Sequence, residues 1–136
     1  AACLWQPVTD KSYEGQPLRI REKTFGNGLG MRAPAYIRLN LKPGWKRFVA
    51  RAGIDDNMLD KELGRNIARY SKIIFKIFVD GRLAAESPVM RISQEPWRFN
   101  VAIPAGSRQI VLVCDDMGNR SPYNLGNWVD AGFCME

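Results

Sequence analysis

The chain has 136 residues, a formal charge of +6 and no histidine, with 46% hydrophobic and 25% charged residues. That length fits one domain of roughly 100–200 residues, and the composition is far from that of a disordered segment. The absence of histidine removes Ser-His and Cys-His nucleophile pairs, histidine acid–base work and histidine metal sites together.

The longest apolar runs are strand-length and fall far short of the roughly 18 residues a membrane span requires, so no transmembrane segment is expected. The N-terminus lacks a charged segment followed by an apolar one, so no secretion signal is visible in it. Three cysteines, Cys3, Cys114 and Cys134, are spaced too widely for a zinc knuckle or a CxxC pair. Cys3 and Cys134 lie near opposite ends, where a staple between the first and last strands is one reading in an oxidising compartment. Cys114 ends an apolar run and is expected to be a buried, inert thiol.

In chain order, Gly26-Asn27-Gly28-Leu29-Gly30 lacks the Gly-Lys-Ser/Thr ending of a phosphate loop and precedes a strand. Its glycines suggest a bend and a close backbone approach between sheets. Ile37, Leu39 and Leu41 alternate with Arg38, Asn40 and Lys42 until Pro43-Gly44, which predicts a strand and a turn. Phe48, Ala50 and Ala52 alternate with Arg47, Val49 and Arg51 in a second strand ending at Gly53. Leu59, Leu63 and Ile67 then recur every fourth position, predicting a short helical insertion over about 57–70. Asp55 or Asp56 could cap it.

Lys72–Val79 predicts a strand, and Asp80-Gly81 a tight turn into Leu83-Ala84-Ala85. Trp97, Phe99, Val101 and Ile103 alternate with polar or small residues until Pro104, which places Trp97 in the inward set. Ile110–Cys114, apolar on both faces, is expected to be a central strand covered from two sides. Short antiparallel strands, one helical insertion and no βαβ alternation predict an all-β antiparallel sandwich, or jelly roll, over residues 1–136.

Asp55-Asp56 and Asp115-Asp116 are the carboxylate pairs a hydrolase would need. Neighbours on a strand diverge and turn positions cap, so neither pair proposes a catalytic site. Asp115-Asp116 leads into Met117-Gly118-Asn119, a loop composition that oxygens could turn into a hard-cation site. Trp45, Tyr123 and Trp128 neighbour turns and are the aromatic platforms expected to be exposed, although a structural role suits Trp128 equally well. Asn124 and Asn127 carry donor and acceptor together, which suits sugar hydroxyls and suits turns just as well. The outward arginines Arg38, Arg47, Arg51 and Arg98 either form a basic face or keep a wet sheet soluble. Should they meet across a strand pair, an anion or carboxylate is expected among them. No nucleic-acid reader motif is present.

Several ordered stretches resemble the NPCBM domains, also called carbohydrate-binding module family 51. They are 14–20 (EGQPLRI), 28–34 (GLGMRAP), 48–56, 75–81 (FKIFVDG), 86–90 (ESPVM) and 127–131 (NWVDA). The resemblance implies a galactose-binding-like jelly roll, usually appended to bacterial enzymes that degrade or modify glycans, and often holding a structural calcium. It implies a non-catalytic, secreted or cell-envelope module that binds galactose-type sugars through loops at one end, and the basic charge adds anionic glycans to the expected ligands. Carried onto this chain, it suggests Arg32, Asn124, Asn127 and Trp128 as ligand-binding residues. Family members often have histidine where Arg32 stands and again just before the Asn-Trp segment; both departures bear on sugar choice. The alternative function is a structural domain that docks a partner chain or an envelope polymer.

Overall fold

A computed structural model describes residues 3–4, 18–20, 23–25, 28–55, 71–118 and 124–135. The helical insertion expected over 57–70 and Tyr123 lie outside them. Two antiparallel five-stranded sheets face one another. The first contains β1 (Cys3–Leu4), β4 (Gly28–Arg32), β6 (Arg47–Ile54), β10 (Trp97–Ala102) and β12 (Leu125–Cys134). The second contains β5 (Ala35–Asn40), β7 (Lys72–Val79), β8 (Arg82–Glu86), β9 (Met90–Arg91) and β11 (Gln109–Asp115), and β2 (Leu18–Ile20) and β3 (Lys23–Phe25) form a separate ribbon.

The period-two pattern becomes the core directly. Ile73, Phe75, Ile77 and Val79 of β7 meet Phe48, Ala50 and Ala52 of β6 in one apolar cluster between the sheets. β11 is central, paired with β5 and β7. Only its inner residues Ile110, Leu112 and Cys114 are fully buried, however; Val111 and Val113 are half-buried, so the strand is not covered from two sides as its composition suggested. Asp80 and Gly81 take φ of 49° and 81°, the positive pair that a two-residue hairpin needs to match strand twist. Ser87, next to the β8 end, donates its hydroxyl to Pro88 O and accepts from Phe75 N at 3.0 Å, which makes the Glu86-Ser87-Pro88 stretch architectural.

β12 organises the first sheet. One side pairs with β6; the other carries β4 along Leu125–Val129 and β1 along Phe133–Cys134. Gly28 must be glycine here: a Cβ would lie 1.9 Å from the Trp128 carbonyl oxygen. This close approach joins strands of one sheet, whereas the approach between sheets occurs at Gly126, where a Cβ would meet Cys114 Sγ at 2.8 Å and the Phe75 ring at 2.9 Å. Cys134 is disulfide-bonded, Cys114 is free, and Cys3 stands directly opposite Cys134 in the ladder. No helix among the described residues is long and apolar enough to cross a membrane.

Candidate glycan-binding rim

Antiparallel pairing gathers the end of β4, the end of β6, the start of β7 and the start of β12 at one rim of the sandwich. Four buried polar residues stand there: Asp55, Ser71, Asn124 and Asn127. Asn124 ties the two sheets together. Its carbonyl accepts from Ala33 N at 2.8 Å and its side-chain oxygen from Lys72 N at 2.9 Å. Asn127 donates from Nδ2 to the Asp55 carboxylate at 2.7 Å, while Asp55 N donates to Leu125 O. This hydrogen bond between two buried side chains holds both in place.

The four residues proposed from sequence do not form one surface. Asn127 and Trp128 are neighbours on a continuous strand, not members of a loop, so their side chains leave opposite faces of the sheet. Trp128 points inward and is fully buried, with its ring edge-on to Phe75 at 5.3 Å and tilted against Phe99 at 5.4 Å. The expectation of an exposed aromatic face at Trp128 is therefore corrected. Asn124 and Asn127 are also fully buried, as struts of the rim. Arg32 alone of the four is exposed. It lies opposite Leu125 and, two positions along, Gly30 lies opposite Asn127; cross-strand parity puts Arg32 and Asn127 on the same outer face.

The tryptophans exchange roles. Trp45, expected in an open turn, is 7% exposed and stacked on Phe133 at 4.2 Å. Trp97, assigned inward, is 42% exposed, because it opens β10 at the edge of the sheet formed by the described residues. Trp97 is opposite Ala52, two residues from the rim end of β6, so it is an exposed aromatic on the rim side that sequence reasoning missed. Its position directly after Pro96, at a strand start, was the available signal.

The arginines do not form one face. Arg38 lies on the second sheet, whereas Arg51 is directly opposite Arg98 on the first. The expected carboxylate is present: a bulge after Val129 and a left-handed Asp130 (φ 48°) turn that carboxylate onto Arg51. Arg47 donates to Asn100 at 2.8 Å.

Asp115 ends β11 and Asp116 follows it, and both carboxyls accept from the turn that comes next. Asp115 accepts from Met117 N at 2.8 Å and Lys76 Nζ at 3.0 Å, and Asp116 from Gly118 N at 2.9 Å. The Met117 N–H first, and then the Lys76 ammonium, hold the Asp115 carboxyl below its ordinary value. No group of three or more Asp, Glu, His or Cys residues that could hold a metal ion occurs among the described residues. Burial pushes the Cys114 thiol up to about 12, against a smaller opposing effect of the Trp128 indole N–H, which has no conventional hydrogen-bond acceptor.

Two packed antiparallel sheets with a polar rim of this kind define a galactose-binding-like β-sandwich module. The chain belongs to the NPCBM/NEW2 domain family, whose model matches residues 2–134. Among solved structures it is similar to the CBM51-2 domain of Clostridium perfringens ZmpB in complex with GlcNAc, with 31% identity and a TM-score of 0.78 over 96% of this chain and 29% of that one. It also resembles CBM51 from a Clostridium perfringens GH95 protein in complex with methyl-galactose (20% identity, TM-score 0.77, 98% and 91% covered). The tandem CBM51 modules of a Streptococcus pneumoniae family 98 glycoside hydrolase share the fold (23% identity, TM-score 0.65, 86% and 35% covered). The chain spans 14% to 30% of the solved ZmpB chains it matches. No curated protein matches it.

Proposed function

We propose that this domain is a non-catalytic carbohydrate-binding module that holds a glycan at the rim around Arg32. The observation that carries the reading is the 31% identity, along nearly the whole chain, to a CBM51 domain whose solved structure contains GlcNAc. In ZmpB, CBM51 domains stand beside a separate M60 catalytic domain, which supports a binding role distinct from catalysis. On this chain Arg32 offers a planar set of donors to sugar hydroxyl oxygens. Asn124, Asn127 and Trp128 act beneath it, holding the strand ends in place.

The disulfide-bonded Cys134 supports an oxidising, extracytoplasmic location, and the bacterial neighbours support a bacterial one. The parent protein is proposed to be glycan-active, as is the family 98 glycoside hydrolase that carries tandem CBM51 modules. Glycan-array screening followed by calorimetry with methyl-galactose and GlcNAc tests the reading. Affinity between millimolar and micromolar, about −4 to −8 kcal/mol, is expected for a shallow sugar site. Arg32→Ala should weaken it roughly tenfold with little change in melting, as expected for the loss of one charge-assisted hydrogen bond at an exposed position. An array flat across neutral and charged glycans overturns the reading.

A further inference from the structure

The end of the sandwich opposite Arg32 carries a concavity. The Leu41–Lys46 connection and the Pro104–Arg108 turn enclose a cleft of about 700 Å³. Both walls are fixed by their own backbone: Leu41 N donates to Arg108 O at 2.9 Å, Ile103 N to Lys46 O at 2.8 Å, and Lys46 N to Cys134 O at 2.7 Å. Trp45 anchors one wall from the core by stacking on Phe133, and Ser107 closes the other turn onto Pro104 O. The backbone of the cleft is therefore already in place for a ligand, which leaves only side chains to be ordered on binding.

Its lining is chemically one-sided. Lys42, Lys46 and Arg108 supply three cations, and no carboxylate lines it among the described residues. Lys42 Nζ stands 5.8 Å from the Trp45 ring centroid. The Lys46 and Arg108 side chains are exposed and make no ion pair with any described residue. Asp80, on the adjacent hairpin, accepts from Arg108 N and Gln109 N at 3.0–3.3 Å and faces a neighbouring cavity that also holds Arg82. Between the cations the lining is apolar, with Leu41, Pro43, Ile103 and Pro104 among the contributors. Like charges converging on a preformed cleft raise the local potential and attract an anion, and an apolar lining suits the C–H faces of a sugar ring.

The geometry points to a second saccharide site at this end, selective for acidic sugars, with Lys46 and Arg108 binding the sulfate or carboxylate. It rests on the proposed function only in taking the ligand to be a saccharide; the site, its residues and its charge requirement are separate from the Arg32 rim. A chain bearing both sites would hold a neutral unit at one end and an acidic unit at the other.

The test is calorimetry of the whole domain with a sulfated heparin hexasaccharide, a galacturonic acid trisaccharide and methyl-galactose. Wild type is compared with Lys46→Ala/Arg108→Ala, with Arg38→Ala/Arg98→Ala, which removes the same charge elsewhere, and with Arg32→Ala. Circular dichroism confirms folding of each. Binding of at least one acidic probe should fall roughly tenfold or more in the cleft pair and less than about twofold in the other two variants, since each lost partner is a charge-assisted contact. Methyl-galactose binding should be unchanged in the cleft pair. Failure of both acidic probes to bind wild type, equal loss in the two double variants, or loss with Arg32→Ala alone overturns the proposal. Inorganic sulfate competing as well as the oligosaccharide at equal concentration overturns its saccharide part. Loss of methyl-galactose binding in Arg32→Ala, or its absence in wild type, bears on the first site alone.

Discussion

Trp128→Ala separates a core tryptophan from a sugar platform. The indole is fully buried, touches Phe75 edge-on and Phe99 at a tilt, and stands opposite Ala52, whose small side chain leaves it room. Removing a large buried aromatic costs about 3–5 kcal/mol, and the two ring contacts place this site at the upper part of that range. A domain of this size has only about 5–15 kcal/mol in total, so the variant should fold but melt roughly 15 °C lower. Urea melts followed by circular dichroism would read the loss directly, with Trp128→Phe as the milder variant that keeps much of the packing. An unchanged melt together with abolished glycan binding would refute the reasoning, since it would mean that the indole faces a ligand.

Two further perturbations test other parts of the structure. Gly28→Ala drives a Cβ into the Trp128 carbonyl and should cost about 3 kcal/mol or more by parting β4 from β12, seen as loss of soluble, folded protein. Asp115, with its carboxyl held below the ordinary value, stabilises the fold above the unfolded pKa of 3.8, and that contribution is lost as pH falls through the lower folded value. Melting curves from pH 6 down to pH 2 should therefore decline less steeply in Asp115→Asn than in wild type; parallel declines would remove Asp115 from the account.

Local pattern carried the strands well because burial on one sheet face follows directly from period two. Phe48, Ala50 and Ala52 fell where alternation put them, and Asp80-Gly81 turned where its tolerance of positive φ allowed. Depth was less legible than direction. Trp97 points inward by parity, yet lies at the start of an edge strand, and nothing in its local spacing says that β10 has a neighbour on one side only among the described residues. Asn124 and Asn127 carry turn-forming side chains, and this hid a ten-residue strand whose only charged member is Asp130. Once that strand is recognised, alternation alone separates Asn127 from Trp128. The cleft at the opposite end was unreadable in advance because Lys46 and Arg108 lie 62 positions apart and meet only through the pairing of their flanking strands.

The first sheet also imposes an order on synthesis. β4 and β6 are early in the chain, but they have no hydrogen bonds to one another; the strand that joins them spans residues 125–134. Until that segment leaves the ribosome, β4 lacks its partner and β6 is paired on one edge only, with β10, while β5, β7 and β11 can already pair. Such long-range closure is slow and exposes strands to stray association in the interval. Truncation before Leu125 should thus release an aggregating half-sandwich rather than a smaller functional domain.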